Sequence, residues 1–176
     1  NSAFQWCEKL TGELNLPSSL TDIGENAFYG CSGFSGDLTI PSGITEIKYG
    51  TFASCSGFAG KLNIPDSVTS IANSAFCYCS SLTGELKLPK NLESIGREAF
   101  RGCTGFTGEL VIPDKITAIP YGTFSGMTGI EAVTINKNVT SIYTASNEAS
   151  TFYNMPGVKT VTFLGEVPPS ASDRWY

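Results

Sequence analysis

Two sets of residues in this chain have the types and the spacing for chemistry. Cysteines stand at Cys7, Cys31, Cys55, Cys79 and Cys103, each 24 residues after the last. Carboxylates stand at Glu13, Asp37, Glu85 and Glu109 on the same spacing, with Lys61 in the one gap. A ladder of thiols offers disulfides, a soft-metal site, or packing alone. Stacked carboxylates offer one reaction: a pair about 5 Å apart matches the separation in retaining glycoside hydrolases.

The rest of the sequence narrows these options. The chain has no histidine, which removes Ser–His and Cys–His nucleophile pairs. Its glycines recur with the repeat and read as turn residues, not as a phosphate-binding loop. Metal sites need clustered ligands, and the nearest approach here is Cys77 with Cys79. No metal and no cofactor is expected. Coil-to-coil spacing falls in the disulfide range. Yet pairing along a ladder of five leaves one cysteine over, and the next slot holds Met127, which cannot pair. A column of packed thiols is the favoured reading, since free cysteine is among the most buried residue types. Cys77 stands outside the ladder, in a slot otherwise filled by Gln5, Tyr29, Ala53, Arg101 and Ser125. That mixture predicts a side chain facing solvent or a groove. For the carboxylates, the solvated face of a strand is the stronger reading, and the chain is expected not to be an enzyme. A glycan-active enzyme using the acidic column is the lesser alternative.

These residues need a scaffold that repeats. Phe4, Phe28, Phe52, Phe76, Phe100 and Phe124 keep the 24-residue period, as do Pro17, Pro41, Pro65, Pro89 and Pro113. Ile23, Ile47, Ile71, Ile95 and Ile119 follow it too. A period of this length marks a solenoid, in which each coil buries its apolar side only against its neighbours. In 84–88, GELKL, Leu86 and Leu88 alternate with Glu85 and Lys87, predicting a short half-buried strand that Pro89 ends. Leu92 and Ile95 are expected to point inward. The stretch REAF (97–100) predicts a short helical or 3-10 turn opposite the strand, with Phe100 and Cys103 inside. Gly105 and Gly108 turn the chain back.

The pattern LxLPxxLxxIxxxAFxxCxxL resembles the leucine-rich repeats of the bacterial surface-antigen (BspA-like) class, also found in spirochaete surface proteins. The proline after the strand, the Ala-Phe pair and the cysteine three residues on carry the resemblance, which covers essentially the whole chain. The repeat is slightly longer than usual for that class because of the extra glycine in TGEL and SGDL. The asparagine ladder of common leucine-rich repeats is missing; its slot holds Ser19, Gly43, Ser67, Asn91 and Lys115. A different set of hydrogen bonds must hold that turn.

The resemblance implies an α/β repeat solenoid: a right-handed coil stack with one short parallel strand per coil and helical or 3-10 turns opposite. It also implies a non-catalytic protein- or glycan-interaction module, at the cell surface or secreted, with adhesion as its use. A rigid spacer presenting another domain is the alternative. The candidate binding surface is the outward strand slots: Glu13, Asp37, Lys61, Glu85 and Glu109 in one column, and Asn15, Thr39, Asn63, Lys87 and Val111 in the other. Trp6, Tyr29, Tyr49, Tyr78 and Tyr121 fall outside this face; partial burial of the tyrosine rings with hydroxyls in water is the favoured expectation, and a convex aromatic patch is the alternative.

Composition agrees with a binding module of this kind. Charged residues make up 15% and the net charge is −5, against the basic stripe that nucleic acid requires. No apolar run reaches the length of a membrane span. Residues 1–142 are expected to form the solenoid, starting mid-repeat as a piece of a longer protein. Residues 143–176 are expected to hold an insertion, a last strand with Val161 and Phe163 inward, and a cap ending the pattern at Pro168-Pro169. The open first coil, beginning at Phe4, predicts end-to-end self-association.

Overall fold

The computed structural model describes residues 1–143 and 150–165 and the backbone of Ser170–Ala171. Each repeat makes one turn of a solenoid with three sides. On the front, Leu38–Thr39 pairs with Leu62–Asn63, and Gly108–Val111, Ile130–Ile135 and Thr160–Phe163 form a second group. All of these pairs are parallel. A second ladder, not expected from the sequence, runs along the side through Glu46–Ile47, Ser70–Ile71 and Ser94–Ile95 and resumes through Ala118–Ile119 and Ser141–Ile142. The Thr-x-Ile slots supply it, because β-branched residues favour a pleated surface and the isoleucine buries itself while its neighbours face out.

The back corrects the second expectation. No helix and no 3-10 segment occurs among the described residues. Each coil instead places two residues, four apart, in left-handed backbone conformation: Ser74 (φ 56°) and Tyr78 (φ 58°), then Glu98 (φ 54°) and Gly102 (φ 70°). Left-handed residues interrupt a right-handed helix. The amides then divide their work. Ala75, Cys77 and Cys79 donate to carbonyls three residues back, at Ala72, Ser74 and Phe76. Ser74, Phe76 and Tyr78 donate to the next coil, at Arg97, Ala99 and Arg101, over 2.9, 2.9 and 2.6 Å. The same inter-coil bonds start at Ser2, Phe4 and Trp6 and continue to Phe124 and Gly126. The back is thus a ladder of turns.

The front ladder is less regular. Leu86 is buried and Glu85 and Lys87 are exposed, as the alternation predicts, but 85–88 is not a strand. Just before it, Gly84 bridges Phe106, two residues out of the period. The extra glycine bulges the chain, Gly84 and Gly108 having φ of 79° and 80°, and the following segment loses its ladder partners. Elsewhere the missing asparagine ladder is replaced by other bonds between neighbouring coils. Ser67 Oγ donates to the Ile44 carbonyl, and Asn91 and Asn138 side chains donate to the Asp66 and Asp114 carbonyls. Asn136, buried in the proline slot, donates to the carbonyls of Pro113 and Ile116.

The core runs the length of the stack. Seven phenylalanines, from Phe4 to Phe152, stack with centroids 5.2–6.1 Å apart and planes within 13° of parallel. Phe4 is 45% exposed at the first coil. At the other end Val161 takes the inward slot beside Val133. Yet it is 48% exposed and Phe163 is half-buried. Of the expected insertion, 144–149 lies outside the described residues. Its base is closed: the Thr151 hydroxyl is 2.6 Å from the Tyr143 carbonyl and 2.9 Å from that of Pro120. Pro168-Pro169 also lie outside the described residues.

Candidate functional site

The ladder thiols are all free; Cys7 is half-buried, and Cys31, Cys55, Cys79 and Cys103 are buried. Their role is visible in their contacts. Each Sγ–H donates to the phenylalanine carbonyl one coil back: Cys31 to Phe4 at 2.9 Å, and Cys55 to Phe28, Cys79 to Phe52 and Cys103 to Phe76 at 3.0 Å. Those carbonyls are left over by the inter-coil backbone ladder; each receives one turn amide, such as Cys55 N–H to Phe52. The thiol supplies a second donor in a volume that accepts little else. Among the described residues no buried side-chain nitrogen or oxygen lacks a partner, and no group of three His, Cys, Asp or Glu suits a metal.

Burial pushes the Cys55 thiol up to about 12, with the neighbouring Cys31 adding to it. Cys103 and Cys79 are raised further, again chiefly by burial. Cys77 departs from expectation: it is buried, not solvent-facing. Its slot lies under the turn and also hides Ala53 and Ser125. Burial, then the Glu98 carboxylate, pushes its thiol up to about 11 against the pull of Arg101. None of these thiols is poised as a nucleophile, which requires a lowered value.

The strand face stands where the alternation places it. Glu13, Asn15, Asp37, Thr39, Lys61, Asn63, Glu85, Lys87, Glu109 and Val111 are all exposed. Several clasp the neighbouring coil. Asp37 Oδ1 accepts the Lys61 amide at 2.7 Å, Asn63 Nδ2 donates to Thr39 Oγ1 at 3.0 Å, and Thr134 Oγ1 donates to Glu109. The acidic column is staggered, however. Glu13 pairs with Ser35 rather than Asp37, and Glu85 leans over Gly108 and lies 3.7 Å from Lys87. Both Glu85 and Glu109 stand on an open surface.

The aromatic residues off this face divide. Trp6, Tyr49 and Tyr78 are 58%, 49% and 51% exposed, while Tyr29 and Tyr121 are half-buried as expected. Sequence reasoning missed their partners. Arg97 lies 4.6 Å over the Tyr121 ring, and Arg101, paired with Glu98, lies 5.9 Å from that of Tyr78. The one available signal was the glycine in the next coil beneath each such ring, Gly30 under Trp6 and Gly102 under Tyr78.

These stacked coils define a leucine-rich-repeat solenoid. The sequence profile of the BspA type leucine rich repeat region matches residues 1–104 and 57–169, with six copies, and the chain belongs to that family. Solved structures agree. A leucine-rich repeat protein from Bacteroides ovatus matches with a TM-score of 0.79 and 27% identity over 92% of this chain and 39% of its own. A leucine rich cell surface protein from Faecalibacterium prausnitzii matches at 0.68 and 25%, over 89% of this chain and 48% of its own. A leucine rich repeat protein of T. pallidum matches at 0.71 and 25%, over 81% and 62% respectively. This chain therefore spans less than two thirds of each of these proteins. No curated protein sequence matches it. No helix among the described residues is long and apolar enough to cross a membrane.

Proposed function

We propose that this chain is a non-catalytic interaction module of a bacterial surface or secreted protein, and that its strand face docks a protein partner in adhesion. The observation that carries this reading is the strand face itself: nine polar side chains and Val111, all exposed, in two columns on one side of the stack. Solenoids of this kind offer such extended surfaces to partners. Family membership and the cell-surface description of the F. prausnitzii protein support the setting. Reversing two charges tests it. A screen of host-matrix proteins is expected to give a binder whose affinity falls about tenfold or more in Glu85→Lys/Glu109→Lys. A binder indifferent to the double change would remove the strand face from the reading.

A spacer reading has its own supporting observation. Asp37, Asn63 and Glu109 spend hydrogen bonds on neighbouring coils, so these side chains stiffen the rod. The absence of any binder in that screen would favour it.

A further inference from the structure

The sequence repeats at a second, longer period. The run NSAF occurs at 1–4 and 73–76, LTGEL at 10–14 and 82–86, and YGTF at 49–52 and 121–124. Three coils therefore form a unit, and the unit occurs twice. At a strand spacing of about 4.8 Å per coil, the two copies lie about 14 Å apart along the stack. Each copy carries a diagonal row across its back, with aromatic rings at both ends. Trp6, Tyr29 and Tyr49 form the first; Tyr78, Arg101 and Tyr121 stand in the matching slots of the second.

The rows are built as platforms. Trp6 meets Tyr29 edge to face at 4.9 Å. A methyl group at Gly30 would fall 2.3 Å from the Trp6 ring, and one at Gly102 would fall 2.5 Å from the Tyr78 ring. Only glycine lets these rings lie down on the next coil. They remain more than half exposed, so a glycine seats each ring while a large part of it stays in water. Between the rings lie hydrogen-bonding side chains, with Arg101 held by Glu98 and Arg97 bonded to the Tyr121 hydroxyl at 3.2 Å.

We infer that the back face binds a linear, uncharged polysaccharide that runs along the solenoid and meets both rows. Exposed rings with polar side chains beside them suit a sugar chain, whose apolar C–H faces alternate with hydroxyl edges. A peptide strand has no place to add, because the back amides are committed to turns and inter-coil bonds. A polyanion meets little positive charge beyond Arg97, since Arg101 is already paired with Glu98 and the net charge is −5. Two rows with matching outer rings at a fixed spacing let one repeating chain engage both, and linked weak contacts raise overall affinity. This surface is separate from the strand face and stands or falls without it.

The test titrates the whole chain with soluble unbranched cello-, xylo-, manno- and chito-oligosaccharides by calorimetry. Wild type, Tyr78→Ala, Tyr78→Phe, Trp6→Ala/Tyr78→Ala and Glu85→Lys/Glu109→Lys are compared, each first shown to unfold at the wild-type temperature or to retain its circular dichroism. At least one sugar is expected to bind. Tyr78→Ala is expected to weaken it about tenfold, and the double aromatic change to abolish it. Tyr78→Phe and the strand-face variant are expected to bind as wild type. Binding of none of these sugars, equal binding by Tyr78→Ala, or weakening only in the strand-face variant overturns the inference.

Discussion

At the residue scale, the cysteines are structural donors. Their repetition follows from a carbonyl left over in every coil, at Phe28, Phe52 and Phe76. Cys79→Ala removes one such donor and leaves a small void. It is expected to cost about 1–3 kcal/mol, seen as a lower midpoint in urea at unchanged slope. The thiols also set a pH dependence. A raised folded-state value means that the fold holds the protonated thiol more tightly than the unfolded chain does. That stability is fully present below the ordinary thiol value of about 8.5. It is lost as pH climbs from there through about 11 for Cys77 and about 12 for Cys55. Each thiol contributes a loss of about 1.4 kcal/mol per pH unit in this window. Urea unfolding at pH 7.5 and 10.5 should show the difference, and a thiol reagent at pH 7.5 should reach the half-buried Cys7 well before the other five. The packed ladder was legible in the sequence, because its period and the Met127 substitution both point to burial. Cys77 was not, because a slot that holds Arg101 and Tyr29 reads as exposed although long side chains leave it while short ones stay beneath.

At the element scale, the back turns decide the shape of each coil. Their left-handed residues explain why a stretch such as REAF, with good helix formers, makes no helix. Adjacent positions should respond with opposite signs to the same change. Ser74→Gly relieves a left-handed residue whose penalty is about 1–2 kcal/mol. Glycine's extra flexibility returns about 0.5–1 kcal/mol of that, so the variant is expected to match or exceed wild-type stability. Ala75→Gly relieves nothing and deletes a buried methyl group, so it is expected to lose about 1 kcal/mol or more. Thermal unfolding of the two variants measures both. The front strands were read from alternation alone, and the burial of Leu86 and Leu110 agrees. Alternation carries no information on register, which is why the bulge at Gly84 and the missing strand at 85–88 were invisible. The side ladder was hidden for a related reason: a two-residue strand is too short to show a period.

At the scale of the whole molecule, stability is continuous while recognition is local. The phenylalanine stack passes through every coil, so damage at its middle should be felt throughout. Phe76, fully buried between Phe52 and Phe100, is expected to cost about 3–5 kcal/mol on change to Ala, with loss of a single cooperative transition in denaturant. The exposed salt bridges, such as Lys90–Asp66, matter far less, because solvent screens them. The coil stack with its parallel strands was legible, though its turns and side ladder were not, because a stack of equal coils writes its period into the chain. A partner leaves no such mark, since one exposed polar slot looks like another until its neighbours are known.

The most direct measurement is carboxylate footprinting by mass spectrometry, on the chain alone and bound to the matrix protein that emerges from the screen. Glu13, Asp37, Glu85 and Glu109 are all exposed in the free chain and should label readily there. Bound, these four should be protected together while the back-face Glu25 and Glu98 label as before. Unchanged labelling along the strand-face column, in a complex that demonstrably forms, would contradict the account.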